Sequence, residues 1–405
     1  TTAKICLIKD LTPKTSRVFE VARTYRFKKG SGMPISIPVI DMVEIGAGGG
    51  SIAHVDQMRQ IRVGPHSAGS EPGPACYDRG GDKPTVTDAD LALGRLDPDN
   101  FAGGSMVLSA KASGDALHDE VGASLDMDSA TAAFAVCEVV DGNMANAARV
   151  HAVENGEDLS AYSMIAFGGA APLHAGRLCE KLGIGQLLIP PGAGVGSAIG
   201  FLKAPFSFEA TRSIYQRLSS FQPDVVRQLF ADLKREATQF VRTCDLVSDI
   251  VYDYKAYVRY VGQGWEIPVE LSEAITLTPD ADQILGLFEK QYEILFGCTV
   301  HGLDIEVTSW SINAATPVDK AEPVAASDAG DDAVADGSRK LFDPSAGGYV
   351  DAAVVDRGNM APGHHVEGPA IVTEAETTII VPSGFTAIGQ PDGCIALSRH
   401  VEQHS

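Results

Sequence analysis

The chain has 405 residues, 44 % of them hydrophobic and 21 % charged, which is typical of a water-soluble globular protein with room for two or three domains. Its formal net charge of −21 argues against a nucleic-acid partner, because contacts with phosphate backbones need basic patches. No segment reaches the roughly 20 consecutive apolar residues of a membrane-spanning helix, and the first residues lack a secretory signal, so we expect a cytoplasmic protein without a membrane partner.

The first third of the chain combines strands, loops and one long helix. Residues 3–27 are predicted to form a β-hairpin, because two β-branched and aromatic runs flank a turn-forming segment. Residues 41–104 are rich in Gly, Pro, Ser and Asp, which indicates a region of ordered loops. Apolar residues at spacings of three and four predict a helix over 129–152 that Asp128 or Ser129 can cap.

A β-α-β unit follows this helix. Residues 162–167 are predicted to be a buried strand, residues 173–182 a helix closed by Gly183, and residues 186–189 a second strand. A right-handed crossover would make the two strands parallel. We therefore assign residues 1–204 to one α/β domain.

The second half of the chain divides into three segments by composition. Two amphipathic helices, over 224–242 and 279–296, flank alternating strand patterns, which predicts a small α+β domain over 205–314. Residues 315–340 are rich in Ala and Asp and poor in large apolar residues, so we expect an acidic linker. Residues 341–405 have many short β patterns with Gly and Pro, which predicts a β-rich C-terminal domain.

The first glycine segment, residues 46–51, could contact a ligand with bare backbone. Glycine turns through positive φ without steric cost, and successive N–H groups in such a loop form a concavity suited to phosphate. A tight connection between two elements explains the pattern equally well. The candidate binding residues are Gly46, Gly48, Gly49, Gly50 and Ser51.

The second glycine segment, residues 168–170, lies between the predicted strand and the helix of the β-α-β unit. Gly168, Gly169 and Ala170 are followed by a helix start, the geometry expected for a nucleotide at the carboxyl end of a sheet. Close strand–helix packing is the alternative. We expect His174, one turn into the helix, to be packed or solvent-facing rather than a ligand or base.

Asp88 and Cys76 belong to a third, proline-rich motif over residues 63–90. Asp88 and Asp90 could hold Mg²⁺ through water, although a role of Asp88 in capping the helix that follows is slightly favoured. Cys76 lacks an assured histidine base, which argues against a nucleophilic role. The seven cysteines are scattered and odd in number, so we expect reduced thiols rather than disulfides or a zinc site.

Together these motifs resemble the hydantoinase A / 5-oxoprolinase / acetone carboxylase family. The resemblance rests on ordered blocks that run along most of the chain, namely Glu44–Ala53, Val63–Tyr77, Thr85–Ala89, Phe167–Ala170, Arg259–Tyr260 and Gly368–Ile371. Within the family, the chain looks most like the C-terminal portion of an ATP-dependent ketone carboxylase subunit, such as that of acetone or acetophenone carboxylase.

The resemblance implies an ATPase fold similar to actin and hexokinase, with ATP and Mg as cofactors. By resemblance, residues 168–170 would lie at the adenosine and the first glycine segment near the phosphates. Family members use ATP to phosphorylate an amide or enolate oxygen, before hydrolysis or carboxylation by bicarbonate. The resemblance also implies two partners, a homologous hydantoinase A-type subunit and a hydantoinase B-type subunit, beside a small-molecule substrate.

The chain departs from the family pattern at two places. Ala171 stands where members typically have glycine, and Thr1-Thr2 looks like the end of an Asp-x-Gly-Gly-Thr-Thr phosphate loop whose first residues are missing. We therefore expect a truncated or processed subunit, in which Thr1 and Thr2 help to bind ATP, or a non-catalytic copy that supports an intact homologue. The ATPase-like surroundings argue against Thr1 as an N-terminal threonine nucleophile.

Overall fold

A computed structural model describes residues 2–22, 24, 30–318 and 322–400. The chain divides into two compact units: unit 1 is Thr1–Ile199 with Pro323–Ser405, and unit 2 is Gly200–Glu322. Both contain helices and strands, which confirms the expected mixed α/β class. In the part of the chain that the structure describes, no helix is long and apolar enough to cross a bilayer.

The described residues contain many strands and a smaller number of helices. The strands are β1 (Ala3–Cys6), β2 (Ile8–Lys9), β3 (Thr12–Pro13), β4 (Thr15–Val21), β5 (Met33–Ile40), β6 (Met42–Ile45), β7 (Ser51–Val55), β8 (Ile61–Ser67), β9 (Met164–Ile165), β10 (Gln186–Ile189), β11 (Ser207–Arg212), β12 (Gln216–Arg217), β13 (Val251–Tyr260), β14 (Ile267–Leu271), β15 (Ile305–Ala315), β16 (Gly337–Asp343), β17 (Gly348–Asp356), β18 (His365–Glu367), β19 (Ala370–Thr373), β20 (Thr378–Val381), β21 (Phe385–Gly389) and β22 (Ile395–Arg399). The helices are α1 (Val86–Ala92), α2 (Ala110–Leu117), α3 (Ala123–Leu125), α4 (Ser129–Glu154), α5 (Ala171–Leu182), α6 (Gly196–Lys203), α7 (Pro223–Cys244), α8 (Glu273–Leu277) and α9 (Ala281–Phe296).

The hairpin predicted over residues 3–27 is wrong in its pairing. Strand β1 pairs with β6, with Ala3 opposite Ile45, and β4 pairs with β5. Only the two-residue strands β2 and β3 pair with each other. Residues 23 and 25–27 of the predicted hairpin lie outside the described residues. The local pattern identified strand-forming residues correctly, but it holds no information on which later segment each strand pairs with.

The long helix α4 is the centre of the first core of unit 1. Asp128 caps it as expected, because its carboxylate accepts a hydrogen bond of 2.7 Å from the Thr131 amide. The buried face of α4, which includes Val136 and Val140, packs with α1 and with strands β1, β6 and β8. This core places α1 behind the loop that joins β6 to β7.

The predicted β-α-β unit is confirmed, with a shorter first strand. Strand β9 covers only two residues of the expected 162–167, and it pairs in parallel with β10. Helix α5 ends at Gly183, whose φ of +72° suits glycine. Phe167 is 54 % exposed, so the chain leaves the sheet before this residue instead of continuing as a buried strand.

The last part of the chain completes the same sheet. Its strand order is β18-β21-β22-β10-β9, with Ile189 opposite Ile395, so β22 lies directly beside β10. Residues 341–400 therefore belong to unit 1, whereas their composition predicts a domain of their own. The expected linker over 315–340 overlaps β15 and β16 at its ends, and its described residues between these strands form neither helix nor strand.

Unit 2 is a sheet covered by two helices. Its strand order is β11-β15-β13-β14, with β12 also paired to β15, and α7 and α9 supply buried residues such as Leu233 and Phe288 to its core. The bounds of both helices lie within a few residues of their predicted ranges. Helix α9 begins after Asp280 and not at residue 279, because Thr278 ends the short preceding helix α8.

Candidate functional site

The two glycine segments meet in space. A Cβ atom placed on Gly49 would lie 3.9 Å from the Cβ of Ala170 and 2.8 Å from the Oγ1 of Thr87. Any side chain at position 49 would therefore collide with α1 and fill the space between the two segments. The sequence places these segments about 120 residues apart, and the fold of unit 1 brings them side by side.

Hydrogen bonds hold the first glycine segment by its carbonyl groups. The Gly49 carbonyl accepts from the Thr87 amide at 2.8 Å, and the Gly48 carbonyl accepts from the Ser51 amide at 2.9 Å. The amides of Gly48, Gly49 and Gly50 have no acceptor among the described residues. These three amides are thus unbonded donors beside bonded carbonyl groups, a combination that an anion-binding loop needs.

Ser51 adds a hydroxyl group at the base of this loop. The residue is fully buried, and its Oγ atom has no hydrogen-bond partner in the described structure. Buried hydroxyl groups are nearly always paired in native proteins, so an orphaned one requires a specific reason. A ligand oxygen held at the loop would supply the missing partner.

The second glycine segment forms the N-terminus of α5. Gly168 has a φ of +120°, and its amide donates to the Ala193 carbonyl at 2.7 Å. The Gly169 carbonyl accepts from the Thr377 hydroxyl at 2.7 Å. The amides of Gly169 and Ala170 find no acceptor among the residues described. Free amides at the positive end of a helix favour a negatively charged group.

A turn between β19 and β20 supports the second segment, and no motif in the sequence indicated it. Besides the bond from Thr377, the backbone of Glu376 lies so close to Gly194 that a Cβ there would be 2.7 Å from the Glu376 carbonyl oxygen. A threonine or a glutamate in a β-rich region has no local feature that marks such a role. This turn joins β19 to β20, and the packing of β20 against α5 brings it to the site.

Thr2 lies at the entry to the first segment. Thr1 is outside the described residues, and Thr2 is an exposed residue just before β1. Because Ala3 lies opposite Ile45 in an antiparallel pair, the register places Thr2 beside Gly46. The roles of both threonines in ATP binding stay predictions.

Asp88 has a structural role in this fold. Its carboxylate accepts from the Cys76 amide at 2.7 Å, from the Thr85 amide at 2.7 Å and from the Thr85 hydroxyl at 2.8 Å. Thr85 and Asp88 form a capping box, so Thr85 rather than Asp88 is the N-cap of α1. Asp88 is also fully buried, and among the described residues no group of three or more His, Cys, Asp or Glu could hold a metal ion.

Cys76 is not an activated thiol. Its side chain is fully buried, and burial raises the pKa of the thiol, with a further increase from the nearby Asp88 carboxylate. A nucleophilic cysteine needs a depressed pKa and access to substrate. The structure thus agrees with the expectation that Cys76 is not a nucleophile.

Behind the two segments, four charged side chains form a buried ion cluster that the sequence analysis did not anticipate. It consists of Asp90 on α1, Arg95, Asp141 on α4 and His174 on α5, each at most 5 % exposed. Arg95 donates to Asp90 at 3.0 Å, and the two nitrogens of His174 lie 3.2 Å from Asp90 and 2.8 Å from Asp141. His174 is packed, as expected, but it is packed among charges.

Comparisons with known proteins identify the lineage of the chain. A family model described as hydantoinase/oxoprolinase matches residues 1–210, just over half of the chain, and a model of the hydantoinase/oxoprolinase C-terminal domain matches residues 219–390. The chain belongs to the hydantoinase/oxoprolinase family. The resemblance seen in the sequence motifs is confirmed.

Relatives within this family include ATP-dependent enzymes of two kinds. The caprolactamase subunit alpha of Pseudomonas jessenii is 30 % identical over 90 % of this chain and 53 % of its own length. The acetone carboxylase beta subunit of Xanthobacter autotrophicus is 27 % identical over 87 % of this chain and 51 % of its own length. A nucleotide-free structure of acetone carboxylase superposes with a TM-score of 0.80 and 25 % identity over 98 % of this chain and 57 % of that chain. The chain therefore spans about half the length of the relatives that it matches.

Proposed function

We propose that this hydantoinase/oxoprolinase family chain binds ATP as part of a carboxylase or an amidohydrolase. The observation that carries this proposal is the meeting of two glycine segments that both have backbone amides without an acceptor among the described residues. ATP would supply a phosphoryl group that activates an amide or enolate oxygen of a small-molecule substrate. The activated substrate then reacts with bicarbonate or with water.

The residues present suit a nucleotide. Amides of Gly48, Gly49 and Gly50 would donate to phosphate oxygens, and the orphaned Ser51 hydroxyl would contribute one more donor. Gly169 and Ala170 would bind the adenosine side of the nucleotide at the start of α5, with Thr2 and Thr1 at the edge of the site. Mg²⁺ would be held mainly by phosphate oxygens and water, because Asp88 is already engaged by backbone amides.

Between the two reaction classes, we propose ketone carboxylation first. Its support is the similarity to acetone carboxylase, which extends over 98 % of this chain. Hydrolysis of an amide, as the caprolactamase relative suggests, is the second candidate. An actin-like arrangement of the ATPase domain would suit both, because both begin with phosphoryl transfer to oxygen.

We further propose that the chain works in a cytoplasmic complex with a hydantoinase A-type and a hydantoinase B-type subunit. The relatives are named as subunits, and this chain spans about half of their length. The part of the relatives that this chain does not span would complete the phosphate site. If the chain instead supports an intact homologue, it will bind that subunit without binding ATP.

The test is nucleotide binding by the chain together with any subunits that copurify. We expect MgATP to bind, and Gly49→Ala to weaken binding at least about tenfold, since the new methyl group would collide with Thr87 and fill the space beside Ala170. Gly185→Ala is the matched control, because its Cβ would meet nothing within 4 Å. Binding of partner subunits with no ATP bound by wild type would support the structural alternative.

A further inference from the structure

The ion cluster lies one helical turn behind each glycine segment. Asp90 follows Thr87, the residue whose amide holds Gly49, by three positions on α1. His174 is the fourth residue of α5, directly after the segment that ends at Ala170. The imidazole of His174 bridges Asp90 and Asp141, so it joins α5 to α1 and to α4.

The His174 ring lies between two carboxylates. Its Nδ1 is hydrogen-bonded to the Asp141 carboxylate at 2.8 Å, and a carboxylate only accepts, so Nδ1 carries a proton. Its Nε2 lies 3.2 Å from the Asp90 carboxylate, which is an ion-pair distance without hydrogen-bond geometry. With His174 protonated and Arg95 positive, the cluster holds two positive and two negative charges and is electrically balanced.

Two carboxylates, a guanidinium and a thiol surround the His174 ring. The Arg95 guanidinium lies 3.5 Å from Nδ1, and the Cys137 thiol donates to Asp90 at 3.6 Å, so Asp90 and Asp141 are the acceptors that face the ring. Burial alone would lower the pKa of His174, but the two carboxylates raise it to about 10. A protonated ring, together with Arg95, balances the charges of the two carboxylates.

Buried ion clusters rarely increase stability over apolar residues of similar volume, because removing charges from water costs much of what the pairing returns. Such a cluster instead restricts the helices that carry it to one relative position. Any shift of one helix would separate opposite charges inside the protein, where water cannot solvate them. Here the arrangement that it fixes is the position of α5 relative to α1. The first glycine segment is hydrogen-bonded to α1 through Gly49 and Thr87, and the second directly precedes α5.

We propose that His174, held between Asp90 and Asp141, is a positioning residue that sets the spacing of the two glycine segments and thereby the affinity for nucleotide. The inference rests on the proposed ATP site. The positioning itself, however, can be measured without nucleotide.

The experiment compares wild type with two variants of the full chain. Asp141→Asn/His174→Gln removes one charge of each sign and leaves the Asp90–Arg95 pair balanced, so that the protein can still fold. The matched control is Arg177→Gln, which breaks an ion pair with Glu138. This pair also joins α5 to α4, but its two side chains are only partly buried. Amide hydrogen exchange is followed in residues 46–51 and 168–171 without nucleotide, and MgATP affinity is measured by calorimetry.

We expect the double variant to exchange several-fold faster in both glycine segments and to bind MgATP about tenfold more weakly. The Arg177→Gln control should change neither. Unchanged exchange in both segments of the folded double variant would overturn the positioning role. Faster exchange in a protein whose wild type binds no ATP would retain the positioning role and reject the proposed function. If the double variant does not fold, His174→Gln alone is judged by the same exchange measurement.

Discussion

The side chain of Ser51 is a buried hydroxyl group without a partner. Ser51 is completely buried and its Oγ has no hydrogen-bond partner in the described structure, whereas the carbonyl groups of Gly48 and Gly49 are both bonded. Leaving a buried hydroxyl unpaired costs about 1 to 3 kcal/mol of stability. We therefore expect Ser51 to serve ligand binding rather than folding.

Replacement of Ser51 by alanine should separate these two effects. Because the hydroxyl makes no bond within the described protein, Ser51→Ala should leave the free energy of unfolding unchanged or raise it by about 1 kcal/mol. The same change should weaken MgATP binding, since one donor to phosphate is lost. Denaturant unfolding and calorimetry measure the two quantities. A clear loss of stability would show that Ser51 bonds within the protein.

His174 predicts a pH dependence of stability. Its pKa is raised from 6.5 to about 10 in the folded protein, so its contribution is complete below about pH 6.5 and is lost as the pH rises toward 10. Between pH 7 and pH 8.5 wild type should lose up to about 1.4 kcal/mol per pH unit relative to His174→Gln. Denaturant unfolding of both proteins at these pH values measures the difference. Parallel curves would contradict a buried imidazolium.

At the scale of elements, helix α1 owes its start to a side-chain bond network rather than to a metal. Thr85 and Asp88 form its capping box, and the same carboxylate holds the amides of Ala75 and Cys76. All of these groups are buried, so their hydrogen bonds cannot be replaced by water. The network holds the proline-rich turn against the helix that contacts Gly49.

Asp88→Asn should therefore destabilise the chain whether or not magnesium is present. An asparagine cannot accept all the bonds of the carboxylate, so we expect a loss of about 2 to 4 kcal/mol in the free energy of unfolding. Thermal unfolding with and without MgCl₂ measures the loss. Asp115→Asn is a suitable control, because Asp115 is an exposed acid on a neighbouring helix. A loss of stability seen only with MgCl₂ would indicate instead that Asp88 is a metal ligand.

Helices and turns could be predicted from the sequence because their signals are local. The spacing of apolar residues, with Asp128 as a cap and Gly183 as a stop, predicted the bounds of α4 and α5 nearly as observed. The two glycine segments were identified as candidate binding loops. The parallel pairing of β9 with β10 followed from the β-α-β pattern, but the partners of β1 and β22 could not be predicted, since they lie in distant segments. The ion cluster was missed for the same reason, because no local pattern shows that Asp90 and His174 meet when three helices pack together.

On the scale of the whole molecule, long-range pairing builds the candidate site. Unit 1 is assembled from both ends of the chain, and the turn that holds Gly169 through Thr377 comes from its last part. Two family models match successive parts of the chain, one over residues 1–210 and the other over residues 219–390. A site of this kind depends on the folding of unit 1 as one body.

The most direct test of the ATP site is a structure of the chain, with its copurifying subunits, bound to a non-hydrolysable ATP analogue and Mg²⁺. We predict phosphate oxygens within hydrogen-bond distance of the amides of Gly48, Gly49 and Gly50, and the adenosine beside Gly169 and Ala170. Nucleotide bound at another place, or clear density for the two glycine segments with no nucleotide between them at saturating concentration, would contradict the account.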